Sequence, residues 1–364
     1  MTQADRLSLL LHLSQTFNSS LDLDEVLNRV MDEVIAAVHA ERGFVMLYDT
    51  DGHLTFRAAR GMDQKTIEDP LFQVSRGVVE KVERDGQPIL TVNAQEDERF
   101  SARQSIVSLK VRSILCVPLK NKERKVGIIY VDNRIHSGIF TETDLELFGA
   151  IASTAAIAID NASLFKDLQL SKQALEAAYV TTLKGWARAI ELRDHETEGH
   201  TRRVTDKTVL FAESLGISET DLSHIYRGAL LHDIGKMGVS DAILRKPGPL
   251  TPEERLEMEQ HPQFAFDMLE PITFLKPAID IPYCHHEKWD GSGYPRKLKG
   301  GQIPLSAQIF SIVDVWDALS HDRYYRKAWP QEKVAAYLLE QKDKAFNAQL
   351  AQAFVEKFID LNYT

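Results

Sequence analysis

Hydrophobic positions in the first third of the chain change from helical to strand-like spacing. Residues 1–20 predict a short amphipathic helix, and Val26, Leu27, Val30 and Val34 recur at helical steps after Asp22. Five runs of strand composition follow, at Gly43–Tyr48, Leu54–Ala59, Pro88–Val92, Ser113–Leu119 and Val126–Val131, with a helix predicted at Gly77–Val82. Asp51-Gly52 predicts one hairpin and the polar segment Asn121–Lys125 another. The pattern predicts an α+β domain with an antiparallel sheet.

A very long helix is predicted next. Thr143 and Glu146 have the spacing of a capping box, and neither glycine nor proline occurs between Ile151 and Lys184. The run therefore extends from Leu145 to about Leu192. An imperfect coiled-coil seam passes through Ile157, Asn161, Leu164, Leu168, Ser171, Leu175, Ala178 and Thr182. Two interpretations remain open: the helix packs only on its own domains, or it forms the seam of a parallel homodimer.

Strand patterns disappear after about Arg193, and the remainder predicts helices and loops. Helices are predicted at Val204–Leu215, Asp221–His232, Leu305–Leu319 and Gln331–Glu340, with another helix start at Thr251-Pro252. The fold class is thus a two-domain chain, α+β then all-α, joined by a long linker helix. We expect boundaries at 1–165 for the first domain, 166–192 for the linker and 193–364 for the second domain.

Composition narrows the function classes. A net charge of −10 argues against a partner that is a nucleic-acid polymer. We expect no signal peptide and no membrane span, because apolar runs are short or interrupted. Cys116 and Cys284 are the two cysteines, and buried reduced thiols in a cytoplasmic protein are the expectation for them.

Metal-type side chains are concentrated in the second half. Of the 12 histidines, eight follow residue 194. Imidazoles and carboxylates are typical ligands of first-row divalent metals. The candidate ligands are Glu196, His200, His232, Asp233, His261, His285, His286 and Asp314. Each has an alternative explanation: an exposed ion pair for Glu196 and His200, an Asp–His hydrogen bond for His232-Asp233, and a surface position before a helix for His261. Asp314 lies in an apolar helix, where a lone carboxylate is costly.

The first domain resembles a GAF domain over about residues 21–165. The resemblance is carried by Ser113–Leu119, by Val126–Asn133 and by Phe140–Asp144, which opens the long helix. GAF relatives bind cyclic nucleotides, tetrapyrroles or small metabolites, or only each other, so the resemblance implies a sensory module with an unknown ligand. Cys116 lies in mid-strand, where a structural thiol is expected.

The second domain resembles the HD-GYP phosphodiesterases, a subgroup of the HD metal-dependent phosphohydrolases. Four motifs carry the resemblance: His232–Lys236, Lys246–Thr251, His285-His286-Glu287 with Asp290–Pro295, and Asp314–Leu319. The resemblance implies hydrolysis of cyclic di-GMP to linear pGpG, with further hydrolysis to GMP left open. It implies that the candidate ligands hold two or three divalent ions, usually iron or manganese, with Glu196 matching relatives that hold three.

The expected chemistry is attack on a phosphodiester by metal-activated water, because bound cations lower the pKa of water from 15.7 toward ~7. Asp233 is expected to bridge two ions and Lys236 to offer positive charge to the phosphate. Gly293, Tyr294 and Pro295 are expected to shape the substrate pocket and to offer a surface for a signalling partner, and Arg323 and Arg326 are further substrate-contact candidates.

The sequence departs from the family pattern at two places. Tyr324 replaces a usual proline, and Asn347-Ala348 stands where Asp-Pro is usual.

Two alternative functions stay open. One alternative is a catalytically silent receptor that binds the nucleotide and signals to a partner. The other is an enzyme for a different cyclic dinucleotide, such as cyclic GMP-AMP.

Overall fold

The computed structural model describes residues 3–61, 75–100, 110–194, 199–322 and 327–359. The chain divides into two compact units, Met1–Ala174 and Leu175–Thr364.

The first unit is α+β, as the sequence predicts. Its elements are α1 (Gln3–Phe17), α2 (Leu23–Val38), β1 (Arg42–Tyr48), β2 (Leu54–Gly61), α3 (Arg76–Asp85), β3 (Ile89–Thr91), β4 (Ser113–Asn121), β5 (Arg124–Asn133) and the first part of α4 (Glu142–Asp194). The strands form one sheet in the order β2-β1-β5-β4-β3, with every pairing antiparallel. Both predicted hairpins, β1–β2 and β4–β5, are confirmed.

The hydrophobic spacing of α2 and α4 explains how they cover the sheet. Asp22 caps α2 by accepting the backbone N–H of Glu25 at 2.8 Å, and the apolar face of α2 is buried. Phe148, Ile151 and Ile159 of α4 are fully buried in the same core. Cys116 is buried as a free thiol in the sheet.

The predicted cap of the long helix, Thr143, lies two residues after the cap that the structure shows. Thr141 and Asp144 form the cap: the Thr141 N–H donates to the Asp144 carboxylate at 2.9 Å, and the Asp144 N–H donates to the Thr141 hydroxyl at 3.3 Å. Glu146 instead lies on the surface, 3.6 Å from Arg6. Thr141-x-x-Asp144 carries the same spacing as Thr143-x-x-Glu146, so the sequence offered two registers for the cap.

By length and composition, an 18-residue stretch of α4 is apolar enough to cross a membrane. Half of this stretch is buried inside the protein. The core helix of a water-soluble domain has the same properties, so this stretch is weak evidence for a membrane span.

The second unit is helical, and its described residues form no strand beyond one isolated bridge between Lys342 and Phe346. After the end of α4 come α5 (His200–Ser214), α6 (Glu219–Leu230), α7 (Asp241–Leu244), α8 (Pro252–Met258), α9 (His261–Leu269), α10 (Asp280–Cys284), α11 (Leu305–Ser320), α12 (Gln331–Glu340) and α13 (Ala348–Phe358), with short 3₁₀ turns at Ile234–Gly238, Lys276–Ala278 and Gly300–Gln302. One core joins α5, α6, α11, α12 and α13, and a second packs the end of α4 against α6 and α9.

The predicted helix Asp221–His232 ends earlier than expected. Helix α6 stops at Leu230, and His232 and Asp233 lie in the turn that follows. The chain leaves the helical path to pack against α9: a Cβ on Gly235 would lie 1.8 Å from the carbonyl oxygen of His261. Only glycine permits this approach, which explains its place in the His232–Lys236 motif.

The departure at Asn347-Ala348 has a local structural explanation. Asn347 is the N-cap of α13, and its side-chain oxygen accepts the backbone N–H groups of Gln349 and Leu350 at 3.0 and 3.3 Å. Asparagine and aspartate are comparable N-caps, so the change preserves the helix start. Tyr324, Arg323 and Arg326 lie outside the described residues.

Candidate metal centre

Most of the predicted ligands meet in one cavity of about 520 Å³ in the second unit. The predicted residues on its wall are His200, His232, Asp233, Lys236, His261, His285, His286, Tyr294 and Asp314. Glu196 lies outside the described residues, and α5 begins only at His200, after Gly199. The expectation that Glu196 and His200 share a helical face is therefore untested.

The ligand-type atoms form two groups, each able to hold a metal ion. His200, His232 and Asp314 form one group, and His261, His285 and His286 form the other, with the offered atoms of each group within 4.8 Å of one another. The histidines come from helix ends: His200 opens α5, His232 follows α6, His261 opens α9 and His285 follows α10. Asp314 lies within α11.

Asp233 lies between the two groups. Its Oδ2 is 3.0 Å from Nε2 of His232, while its Oδ1 is 3.5 Å from Nε2 of His261 and 3.8 Å from Nε2 of His285. Each carboxylate oxygen thus faces a different group, which is the arrangement of a carboxylate that bridges two cations.

Backbone carbonyls fix the orientation of three imidazoles. Nδ1 of His232 lies 2.9 Å from the Ala229 oxygen, Nδ1 of His261 2.8 Å from the Met258 oxygen, and Nδ1 of His285 3.1 Å from the Ile281 oxygen. A carbonyl only accepts hydrogen bonds, so each Nδ1 carries a hydrogen, and in the neutral ring Nε2 presents a lone pair to the cavity.

These lone pairs are better placed to bind a metal ion together than to face one another. Nε2 of His261 and Nε2 of His285 lie 3.3 Å apart, with neither hydrogen between them once both Nδ1 atoms donate to carbonyls. Two facing lone pairs repel, and a cation between them removes the repulsion. The donor set of imidazoles and carboxylates suits a first-row divalent metal.

A carboxylate outside the cavity orients His200. Asp317 accepts from Nδ1 of His200 at 2.7 Å, leaving Nε2 to face Asp314 Oδ1 at 3.4 Å. The Arg203 guanidinium donates to both oxygens of Asp317, at 2.8 and 2.9 Å. These contacts indicate that Asp317 orients a candidate metal ligand.

Burial controls the protonation of the second group. Burial and the imidazoles of His261 and His232 lower the pKa of His285 to about 3. Burial likewise lowers the pKa of His286 and of His261 below the ordinary histidine value. These imidazoles are therefore neutral near pH 7, which is the form that binds metal.

The first group and Asp233 are electrostatically linked. Burial alone would lower the pKa of His232, but the carboxylates of Asp233 and Asp314 raise it. Burial alone would raise the pKa of Asp233, but His232 and Lys236 hold it well below its usual value. Asp233 is thus ionised and ready to bind a cation at neutral pH.

Lys236 lies at the cavity wall, in the 3₁₀ turn that follows Asp233. Its Nζ lies 2.7 Å from Asp233 Oδ2 and 2.7 Å from Asp194 Oδ2. Sequence reasoning missed Asp194, because the last residue of a long helix carries no motif.

The predicted Gly-Tyr-Pro loop borders the cavity through Tyr294. The Tyr294 ring lies 4.8 Å from the His286 ring at a tilt of 31°. Gly293 is buried so closely that a Cβ would lie 2.5 Å from the His286 oxygen. Pro295 is half-buried, and it is not among the residues that line the cavity. Glu287, another residue that the sequence did not single out as functional, accepts the N–H groups of Arg296 and Leu298 and so fixes the end of this loop.

Comparison with known proteins agrees with this architecture. Residues 186–350 match the HD domain family, and residues 20–160 match the GAF domain family. The chain joins a GAF domain to an HD domain.

Curated relatives of the HD domain are named as phosphodiesterases. The cyclic di-GMP phosphodiesterase response regulator RpfG of Xanthomonas campestris is 38% identical over 195 residues, which are 53% of this chain and 52% of the relative. The 3'3'-cGAMP-specific phosphodiesterase 2 of Vibrio cholerae is 32% identical over 231 residues, 62% of this chain and 43% of the relative. A cyclic di-GMP phosphodiesterase of Thermotoga maritima is 41% identical over 168 residues, 46% of each chain. This chain thus spans about half the length of these relatives.

We predict that Asp317→Asn weakens metal binding by the HD domain about 10- to 100-fold, the usual effect of removing an outer carboxylate from a ligating histidine. Asparagine keeps the size of the side chain but loses the charge that faces His200 and Arg203. Metal retained against increasing chelator, measured by elemental analysis, checks this result. Asp206→Asn, an exposed carboxylate of α5, is the matched control, and equal metal retention by the two variants would contradict the prediction.

Proposed function

We propose that the chain is a metal-dependent phosphodiesterase of the HD-GYP type that hydrolyses cyclic di-GMP to pGpG and that its GAF domain regulates it. The observation that carries the proposal is the pair of metal-type groups joined by Asp233 in one cavity. The names of the relatives support the substrate class.

The proposed metal content is two divalent ions, one per group, with Asp233 between them. Iron and manganese suit the mixture of imidazoles and carboxylates. A third ion would use Glu196. The bound ions would lower the pKa of water and neutralise phosphate charge.

The remaining side chains would bind and orient the nucleotide. Lys236 contributes positive charge beside Asp233, and Lys246, on the same cavity wall, adds a second cation. Tyr294 offers a ring face at the rim for a guanine base. We also propose Gly293, Pro295, Arg323 and Arg326 as substrate contacts and the Gly-Tyr-Pro loop as a surface for a signalling partner.

Cyclic GMP-AMP is a second candidate substrate, because one relative is named for that specificity. Both substrates present the same phosphodiester to the metal groups, so the discrimination would come from base contacts at the rim.

Two buried free thiols, Cys116 and Cys284, support a cytoplasmic location.

The direct test is turnover. We expect protein loaded anaerobically with Fe²⁺ or Mn²⁺ to convert cyclic di-GMP to pGpG, followed by chromatography, with metal counted by elemental analysis. His232→Ala should lose both metal and turnover, because it removes an Nε2 ligand next to Asp233. His224→Ala, which changes a histidine outside the cavity, is the control.

Two outcomes separate the alternatives. Binding without products in fully loaded wild-type protein would identify a silent receptor and overturn the enzymatic proposal. Faster turnover of cyclic GMP-AMP than of cyclic di-GMP, measured by competition, would reassign the substrate.

We propose that the chain is a homodimer through α4. The exposed large apolar residues Ile157, Leu164, Leu168, Leu175 and Trp186 fall within about 40° of one another around the helix, at 3.6 residues per turn. The other members of the predicted seam, Asn161, Ser171, Ala178 and Thr182, are exposed along the same face. A row of exposed large apolar residues on one helix face, even with polar residues between them, is the pattern of a helix-pairing surface.

Charges in the stripe should break the dimer. We expect the double variant Leu168→Glu/Leu175→Glu to have half the wild-type mass by light scattering after size-exclusion chromatography. Leu170→Glu is equally exposed but lies on the opposite helix face, so it should remain dimeric. A wild-type monomer, or dimers from all three proteins, would refute the seam.

Regulation through α4 predicts an effect of removing the GAF domain. A deletion of residues 1–165 removes the GAF core together with the part of α4 that it buries. We expect the shortened protein to change its specific activity, its oligomeric state or both, measured by turnover and light scattering. If both match the full chain, the GAF domain does not regulate the enzyme.

A further inference from the structure

The last residues of α4 make direct contact with the turn that carries Asp233 and Lys236. The Arg193 guanidinium donates from one terminal nitrogen to the carbonyl oxygens of Lys236 and Met237, at 2.9 and 3.1 Å. Its other terminal nitrogen donates to the Val239 oxygen at 2.8 Å. One side chain thus donates hydrogen bonds to three carbonyl oxygens, two in the 3₁₀ turn and one in the residue that follows it.

The same guanidinium also binds a carboxylate, and the backbone of Arg193 accepts a further hydrogen bond. Its Nε donates to Asp241 Oδ1, at the start of α7, at 2.9 Å. The carbonyl oxygen of Arg193 accepts from Nε of Arg245, at the end of α7, at 2.7 Å. The end of α4, the 3₁₀ turn and α7 are therefore joined through one residue.

The neighbouring residue reaches the cavity itself. The Asp194 side chain is 4% exposed, and its Oδ2 accepts from Lys236 Nζ, which also contacts Asp233. The backbone of Lys236 is thus held by Arg193 and its ammonium group by Asp194.

Arginine is the side chain that this arrangement requires. Its planar guanidinium presents five N–H donors in a fixed fork, so it can bind three carbonyls and a carboxylate at once. A lysine offers a point charge on a flexible stem and cannot reproduce this set. Loss of the fork removes one donor from each of the three carbonyls, although the Lys236 oxygen still accepts the Val239 N–H at 3.1 Å. We expect the turn, no longer tied to α4, to relax toward solvent.

We propose that Arg193 is a positioning residue for the HD domain: it holds the turn that sets the places of Asp233 and Lys236, and so makes the end of α4 part of the active site. The proposal rests on the proposed function for its kinetic consequences alone. The geometric consequence, a change in the metal environment at Asp233, is measurable without turnover.

The test compares three full-length variants with the wild-type protein. Arg193→Gln removes the fork, and Arg193→Lys keeps the charge. Arg188→Gln is the matched control, because Arg188 lies on the same helix, is half exposed and pairs with Glu191 at 3.2 Å. Each protein is loaded with Co²⁺ for its visible absorption spectrum, assayed for kcat and KM with cyclic di-GMP, and melted to compare stability.

We expect the Co²⁺ spectrum of Arg193→Gln to differ from that of the wild type, because the Asp233 ligand moves, while the control spectrum is unchanged. We expect kcat to fall about 10- to 100-fold, as for other residues that orient ligands, with a smaller change in KM. Arg193→Lys should restore part of the spectrum and of kcat. Should Arg193→Gln fail to fold, the lysine variant alone carries the comparison.

A purely structural role would lower the melting temperature and leave the spectrum and kcat of the folded fraction unchanged. That result, or a lysine variant indistinguishable from wild type in both spectrum and kcat, overturns the proposal. Absence of turnover in wild-type protein would remove the proposed function, yet the Co²⁺ spectra would still decide whether Arg193 positions the turn.

Discussion

The second unit depends on one constraint: several imidazoles must present Nε2 lone pairs to the same small space. Alone, such an arrangement is repulsive, and nitrogen atoms 3.3 Å apart at His261 and His285 show how close the approach is. The fold resists this repulsion by fixing the rings of His200, His232, His261 and His285 through Nδ1. Asp233 adds a carboxylate between the groups, and a cation would turn the remaining repulsion into attraction.

The carbonyls that fix these rings come from the ends of helices. Ala229, Met258 and Ile281 each lie in the last turn of a helix. The oxygens of Ala229 and Ile281 also accept the backbone N–H of the histidine that each one orients, at 3.4 and 2.9 Å. A histidine three or four residues later satisfies such a carbonyl with Nδ1 and points Nε2 away from the helix. Helix termination and ligand orientation are therefore the same local event for these histidines, which explains why they follow or open helices rather than lie within them.

The elements that depend on local sequence patterns could be predicted from the sequence. The strands, both hairpins, the helical second half and the helix start at Thr251-Pro252 follow from hydrophobic spacing, glycine positions and caps. The end of α6 was missed because it depends on Gly235 packing against α9, a contact that no local pattern reveals. Asp317 and Asp194 were hard to assign for the same reason, since Asp317 contacts His200 at a separation of 117 residues and Asp194 contacts Lys236 at 42. The ligand types were visible in the sequence, but their grouping around Asp233 required the fold.

The long helix contributes to a core at each end. Phe148 and Ile159 are buried in the first unit, and Leu183 and Ile190 in the second. The Tyr179 ring lies 4.9 Å from the Phe274 ring, but residues 171–178 between the two cores are exposed on every face, so packing within the chain contributes little to holding this stretch in a helix. It consists mainly of strong helix formers, including Ala174, Leu175 and Glu176, and contains neither glycine nor proline. A helix maintained by its own propensity bends and breaks less readily than a loop, so in the regulation that we propose a rotation imposed at the first unit would be conveyed along the backbone to Arg193 and Asp194.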